Sequence, residues 1–183
     1  LETCGEIGVD YLTLYAFSSE NWKRPEAEVK ALMGLLAHFL KEKTPSLIEN
    51  NIRLQVIGQI DKLPKSNQKS LQKSIEATDG NNGLTLVVAL SYGSREEILE
   101  ATRSLMEKAQ SREMDQAELN VESFAAHLNT ADFPDPDLLI RTSGEYRISN
   151  FLLWQISYAE IFITKTFWPD FRRQNLLDAV GEY

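Results

Sequence analysis

Apolar positions along the chain switch repeatedly between a spacing near two residues and a spacing near 3.6, which predicts strands alternating with helices from one end to the other. Residues 11–17 (YLTLYAF), rich in aromatic and β-branched side chains, read as a strand. Residues 26–43 carry Val29, Leu32, Met33, Leu36 and Leu40 on one helical face, with Pro25 at the start and Glu26 and Glu28 in the favourable first turn. A strand over 52–57 ends at Gly58, and an exposed helix over 64–78 is anchored by Leu71 and Ile75. Residues 84–90 form a buried strand, 95–110 a helix and 121–129 a shorter one. Strands over 138–141 and 161–164 and a helix over 172–183 complete the series. There is no repeat, low-complexity tract or linker, so residues 1–183 are expected to form a single domain.

Near-continuous apolar strands between helices predict an α/β fold: a mostly parallel central sheet with helices on both faces. In such sheets ligands bind in a cleft beyond the carboxyl ends of the strands. Four polar clusters follow strands and are expected at that edge: Ser18 to Arg24, Gly58, Ser91 to Arg95, and Arg141 to Ser149.

The last of these carries the most chemistry. After the short strand 138–140, Arg141, Thr142, Ser143, Gly144, Arg147 and Ser149 follow within a few residues. Arginines beside flexible backbone and hydroxyl donors are the parts needed to hold a phosphate or diphosphate. A solvated polar turn has the same composition, and spacing alone leaves both open. Residues 18–25 (SSENWKRP) repeat the logic with a hydroxyl pair, Glu20, Asn21, Trp22 and Arg24. Alone, Trp22 reads as a packing residue and Glu20 as a loop charge. Two arginine-bearing clusters at strand ends together suggest one cleft.

Composition removes several function classes. A 43% apolar and 25% charged chain is ordinary for a globular protein, and a net charge of −8 argues against nucleic acid and against a polybasic membrane anchor. No apolar run approaches the roughly 20 residues that span a bilayer, and residues 1–6 lack the pattern of a signal peptide. The lone cysteine, Cys4, excludes an internal disulfide, fits a cytoplasmic protein and reads as a packing residue. His38 and His127 are too far apart in sequence for zinc spacing.

Residues 17–25 (FSSENWKRP) and 137–155 (DLLIRTSGEYRISNFLLWQ) resemble the signature segments of the cis-prenyltransferases, most closely the bacterial undecaprenyl diphosphate synthases. Tyr92-Gly93 with Arg95, and 168–171 (WPDF), resemble further family segments in the expected order, so the likeness spans nearly the whole chain. It implies a prenyltransferase that condenses isopentenyl diphosphate onto an allylic diphosphate such as farnesyl diphosphate, giving a cis-polyprenyl diphosphate such as undecaprenyl diphosphate. It also implies Mg²⁺, an apolar tunnel, a homodimer built on the C-terminal half, and a product delivered to the membrane, with peripheral membrane contact. Carried over residue by residue, Arg141, Arg147 and Ser149 would hold the diphosphate of isopentenyl diphosphate, and Arg24 the allylic diphosphate. Ser18 and Asn21 would assist deprotonation, while Glu20 and Trp22 would position substrate and order the loop. Glu160 matches a family metal ligand and Asp170 a carboxylate near the site; their plain readings are a solvated charge and a turn residue. Ile52, Leu54, Leu84 and Leu86 are tunnel candidates that ordinary core packing explains equally well.

The chain also departs from the pattern. The family's Asp-Gly-Asn-Gly-Arg-Trp-like segment, whose aspartate is the central metal-binding carboxylate, is missing. Residues 79–83 (DGNNG) imitate it, but they precede the strand 84–90 and so belong at the opposite edge. The basic C-terminal tail is missing too. Tyr146 stands where many bacterial members have histidine, Ser91 replaces a more usual asparagine, and Gln59 a common aspartate. The 183 residues are therefore expected to be a piece of a longer enzyme, with very low activity by themselves. The alternatives are a non-catalytic partner subunit of a cis-prenyltransferase, which the presence of Asn21-Trp22 disfavours, and a general phosphate-binding module.

Overall fold

The computed structural model describes residues 1–183 and combines helices with strands that pair only in parallel. It divides into two compact units, Leu1–Gly93 and Ser94–Tyr183. The parallel pairing of the sequence reading is found, divided between a three-stranded sheet in the first unit and a two-stranded sheet in the second.

The first unit runs α1 (Glu2–Glu6), β1 (Tyr11–Ser18), α2 (Glu26–Glu49), β2 (Arg53–Ile57), α3 (Lys65–Thr78) and β3 (Thr85–Tyr92), with sheet order β1-β3-β2. The longest uninterrupted apolar run takes the central place: Leu86 to Tyr92 are all buried, because β3 has a strand on either side. Leu86 pairs with Leu12 of β1 and with Leu54 of β2, and Leu54 and Leu86 are both fully buried. Parallel neighbours need crossover connections, which α2 and α3 supply. They pack on each other and on β2. The buried Thr78 closes α3 against the sheet: its Oγ1 accepts the Leu54 N–H at 3.1 Å and donates to the Ser74 carbonyl at 2.9 Å. Cys4 is buried, and desolvation pushes its thiol above its ordinary pKa, as befits a packing residue.

The second unit runs α4 (Ser94–Gln110), α5 (Val121–Ala125), β4 (Leu138–Arg141), β5 (Glu160–Ile163) and α6 (Arg173–Glu182). β4 and β5 pair from Leu138 opposite Glu160 to Arg141 opposite Ile163. The core gathers Ala101 and Leu105 of α4, Leu128, Phe151, Leu152, Ile156 and Ala179. A charge is buried with it: the Glu97 carboxylate accepts from the Asn129 N–H at 2.9 Å and from Gln155 Nε2 at 3.2 Å, and Gln155 Nε2 also donates to Thr130 Oγ1 at 2.9 Å.

Two elements differ in length from the sequence reading. α2 continues past residue 43, through Pro45, to Glu49. Proline there removes one backbone N–H, but the apolar stripe goes on: Leu47, seven residues after Leu40, is 2% exposed. α5 stops at Ala125 rather than 129, because the N–H groups of His127 and Leu128 turn to carbonyls three residues back, those of Phe124 and Ala125. No helix is long and apolar enough to cross a membrane.

Candidate active site

In the first unit the parallel register carries the ends of β1, β2 and β3 to one edge, where Ser18, Gly58 and Tyr92 stand. The residues after β1 form a short 3-10 helix, Ser19–Lys23. Asn21 Oδ1 accepts the Ser18 N–H at 2.9 Å, closing a capping box between two of the three residues, Ser18, Asn21 and Glu20, singled out for catalysis. Trp22 is held twice: its ring lies edge-on to Phe17 at 4.9 Å, and its Nε1 donates to Ser91 Oγ at 2.8 Å. Ser91, the residue in place of the family's asparagine, is left-handed at φ 49°. Glu20 accepts from Ser19 Oγ at 3.3 Å. Arg24 is half-exposed and lies 3.6 Å from Glu28, one helical turn further on. Gln59 donates its backbone N–H to the Ser91 carbonyl at 3.3 Å, and Gly58 packs directly on the Leu90 carbonyl.

In the second unit Arg141 ends β4 and opens a loop with an unusual backbone. Ser143, Gly144, Ser149, Asn150 and Leu152 all have positive φ, between 48° and 69°. Five left-handed residues among ten, four of them not glycine, require a surrounding structure that over-determines them, and such strain gathers at functional sites. The segment after β5 supplies part of that support. The N–H groups of Ser143 and Gly144 donate to the carbonyls of Thr166 and Thr164 at 2.9 and 2.8 Å. Arg141 is partly buried and has no carboxylate partner, and its buried Nε makes no hydrogen bond. Arg147 is exposed and ion-pairs with Glu145, two residues before it. Ser149 is exposed, and Tyr146 is 84% exposed.

The carboxylates are placed differently. Glu160 begins β5, beside Leu138, so it stands at the amino end of the β4–β5 pair while Arg141 stands at the carboxyl end. Asp170 closes a 3-10 turn, Trp168–Asp170, next to the stacked rings of Trp168 and Phe171. Magnesium takes oxygen ligands in octahedral array, usually one or two carboxylates with phosphates. No group of three His, Cys, Asp or Glu is assembled, and Glu160 is exposed at the edge away from Arg141. These residues do not by themselves fit a magnesium site. Asp79, in the segment imitating the missing motif, is bound to Arg53 at the start of β2, with Nη2 to Oδ1 at 2.7 Å. That confirms the segment at the amino edge.

Of the tunnel candidates, Ile52 lines a cavity of about 250 Å³ with residues including Phe39, Lys43 and Leu47. Leu54, Leu84 and Leu86 are packed in the core and do not line it. One residue that the sequence reading left without a role stands out here. Asn150 is tied to the start of α4 at three points, and its signal was available: asparagine tolerates left-handed backbone better than other non-glycine residues.

Residues 1–183 match the family described as "Putative undecaprenyl diphosphate synthase". The chain is 50% identical to an isoprenyl transferase of Porphyromonas gingivalis over all of its length and 72% of that protein's. It is 46% identical to an isoprenyl transferase of Chlorobaculum tepidum, covering all of this chain and 69% of that one. Among solved structures it is similar to lavandulyl diphosphate synthase from Lavandula x intermedia in complex with dimethylallyl diphosphate. The TM-score is 0.97 at 34% identity, over 100% of this chain and 79% of that one. A probable undecaprenyl diphosphate synthase from Campylobacter jejuni gives a TM-score of 0.88 at 34% identity, over 99% and 83%. A match along the whole sequence, relatives near half identity and the shared parallel α/β fold place this chain in the undecaprenyl diphosphate synthase family of prenyltransferases.

Proposed function

We propose that this prenyltransferase lengthens an allylic diphosphate of the farnesyl class by condensation with isopentenyl diphosphate, giving a long cis-polyprenyl diphosphate of the undecaprenyl type. The observation that supports this best is Arg141: a partly buried guanidinium without a carboxylate partner, at the mouth of a strained loop that also carries Arg147 and Ser149. An arginine fork left with open donors suits a bidentate, multiply charged anion. Arg141, Arg147 and Ser149 take the diphosphate of isopentenyl diphosphate in this reading. In the first unit Arg24 takes the allylic diphosphate. Ser18 and Asn21, already fixed to each other, lie beside the reacting carbons and assist loss of the proton, while Trp22, latched to Ser91, holds the loop in place. The allylic carbon–oxygen bond breaks and diphosphate leaves with the bonding electrons. The double bond of isopentenyl diphosphate attacks, and loss of a proton leaves the new cis double bond. No step in this reading is assigned to magnesium.

The reading is tested with the full-length protein, labelled isopentenyl diphosphate, farnesyl diphosphate and added Mg²⁺. Polyprenyl diphosphates longer than the primer, with cis geometry in the added units, are the expected products. Binding of both substrates without turnover would favour a partner subunit, and trans products would overturn the assignment.

The proposal extends to a homodimer. In the segment 153–168, Leu153, Tyr158, Ile161, Phe167 and Trp168 are exposed, Tyr158 completely and Phe167 by 64%. Their neighbours Phe151, Leu152 and Ile156 are buried in the core. A large exposed apolar patch is unusual on a monomer, whereas homodimer interfaces are apolar. Sedimentation at low micromolar concentration is expected to give about twice the 20.8 kDa chain mass. A single species at the chain mass, for this chain and for the full-length protein alike, would rule the dimer out. A lipid product would be delivered to the membrane from this assembly through peripheral contact.

A further inference from the structure

Asn150 lies directly after Ser149, and both are left-handed, at φ 61° and 57°. Serine seldom adopts that conformation, so something must hold the turn. Three contacts to the first turn of α4 hold Asn150. Its carbonyl accepts the Ser94 N–H at 2.8 Å. Its side-chain Oδ1 accepts the Arg95 N–H at 2.9 Å, and its Nδ2 donates to Glu96 Oε2 at 3.0 Å. Asn150 thus satisfies two of the N–H groups that every helix leaves open at its start. The anchor point is itself rigid, since Ser94 is fully buried and its Oγ accepts the Leu153 N–H at 2.8 Å. That second tie pins the chain just beyond Leu152, also left-handed at φ 48°.

We infer that Asn150 is a positioning residue: clamped to the start of α4, it holds the backbone turn that presents Arg147 and Ser149 to the diphosphate of isopentenyl diphosphate. This rests on the assignment of Arg147 and Ser149 to that substrate. Asn150 touches no substrate in this role; it sets where two binding residues stand. Both halves of its amide are needed, one as acceptor for Arg95 and one as donor to Glu96.

That requirement gives a specific test on the full-length protein. Asn150→Asp keeps the acceptor, and a carboxylate at a helix start is favourable, but it sets a second carboxylate against Glu96. The KM for isopentenyl diphosphate should rise about tenfold or more, in line with the effect of displacing a positioned group. The KM for the allylic substrate and the thermal midpoint should be unchanged. In the double variant Asn150→Asp/Glu96→Gln the new amide donates to the new carboxylate and the clamp re-forms with its polarity reversed. Its KM should return to the parent value, by more than Glu96→Gln alone accounts for. Asn150→Gly keeps the left-handed backbone without the side chain and should show the same raised KM. Arg147→Ala separates the two levels of the argument. If it raises the KM for isopentenyl diphosphate and the Asn150 variants do not, the positioning role is overturned. Equal losses for both substrates together with a lowered midpoint in every Asn150 variant would show a merely structural residue and overturn it too. If Arg147→Ala has no effect, the substrate assignment falls and the inference with it.

Discussion

Arg141→Ala is expected to weaken binding of isopentenyl diphosphate by about 2–5 kcal/mol, the range for truncating one partner of a desolvated charge pair. At roughly 1.4 kcal/mol per factor of ten, that is a KM raised by about 30-fold or more. The KM for the allylic substrate should change little. The size of the effect follows from what Arg141 lacks. Its Nε is buried without a hydrogen bond and no carboxylate neutralises the guanidinium, so an incoming diphosphate has nothing to displace. Arg147 makes the useful contrast. It is exposed and already paired with Glu145, so a diphosphate must first compete for it and the net gain is smaller. Arg147→Ala should therefore cost less than Arg141→Ala, and Glu145→Gln, which frees Arg147, should recover part of the binding lost in Arg141→Ala. Steady-state kinetics with each substrate varied in turn decides the matter. Equal losses for both substrates, or a larger effect at position 147, would sink the assignment.

The elements were legible because burial leaves a periodic trace. The strand over 138–141 was found to the residue, and β3 stood out as buried because its apolar run is continuous, as its place between two strands requires. The candidate clusters could be placed at strand ends for the same reason. Where reading failed locally, a tertiary contact overrode a local rule. Pro45 signals a stop, yet the packing of Leu40 and Leu47 carries α2 through it. The division of the strands between two sheets leaves no mark in any one segment, since pairing is a property of distant residues. Backbone strain is likewise invisible to composition: Ser149 reads as one more hydroxyl, and only φ shows that it stands in a turn that must be held. Nor does periodicity tell cavity lining from core. Ile52 borders a cavity while Leu54, two residues on along the same segment, is fully packed.

Gly58→Ala should be the most destabilising single methyl that can be added to the first unit. Gly58 follows β2 at φ 102°, a region that L residues rarely enter. A Cβ there would lie 2.2 Å from the Leu90 carbonyl oxygen and 3.0 Å from Tyr92 Cβ. The first obstacle is backbone of the central strand, itself 1% exposed at Leu90, and it cannot swing aside as a side-chain tip could. Backbone strain and overpacking together predict a loss of about 3 kcal/mol or more. The damage should also reach Trp22. Gln59 donates to the Ser91 carbonyl, and Ser91 Oγ accepts from Trp22 Nε1, so moving β3 or the turn after β2 disturbs the latch on the loop that carries Asn21. Gly34→Ala is the matched control. Gly34 lies inside α2 with nothing within 4 Å of a new Cβ, and there alanine should stabilise by about 0.5–1 kcal/mol. Urea unfolding of both variants at equal slope would read the difference directly. If Gly58→Ala stayed within about 0.5 kcal/mol of the parent, the turn after β2 would be far softer than its contact with β3 implies. The coupling from that turn through Ser91 to Trp22 would then have to be given up.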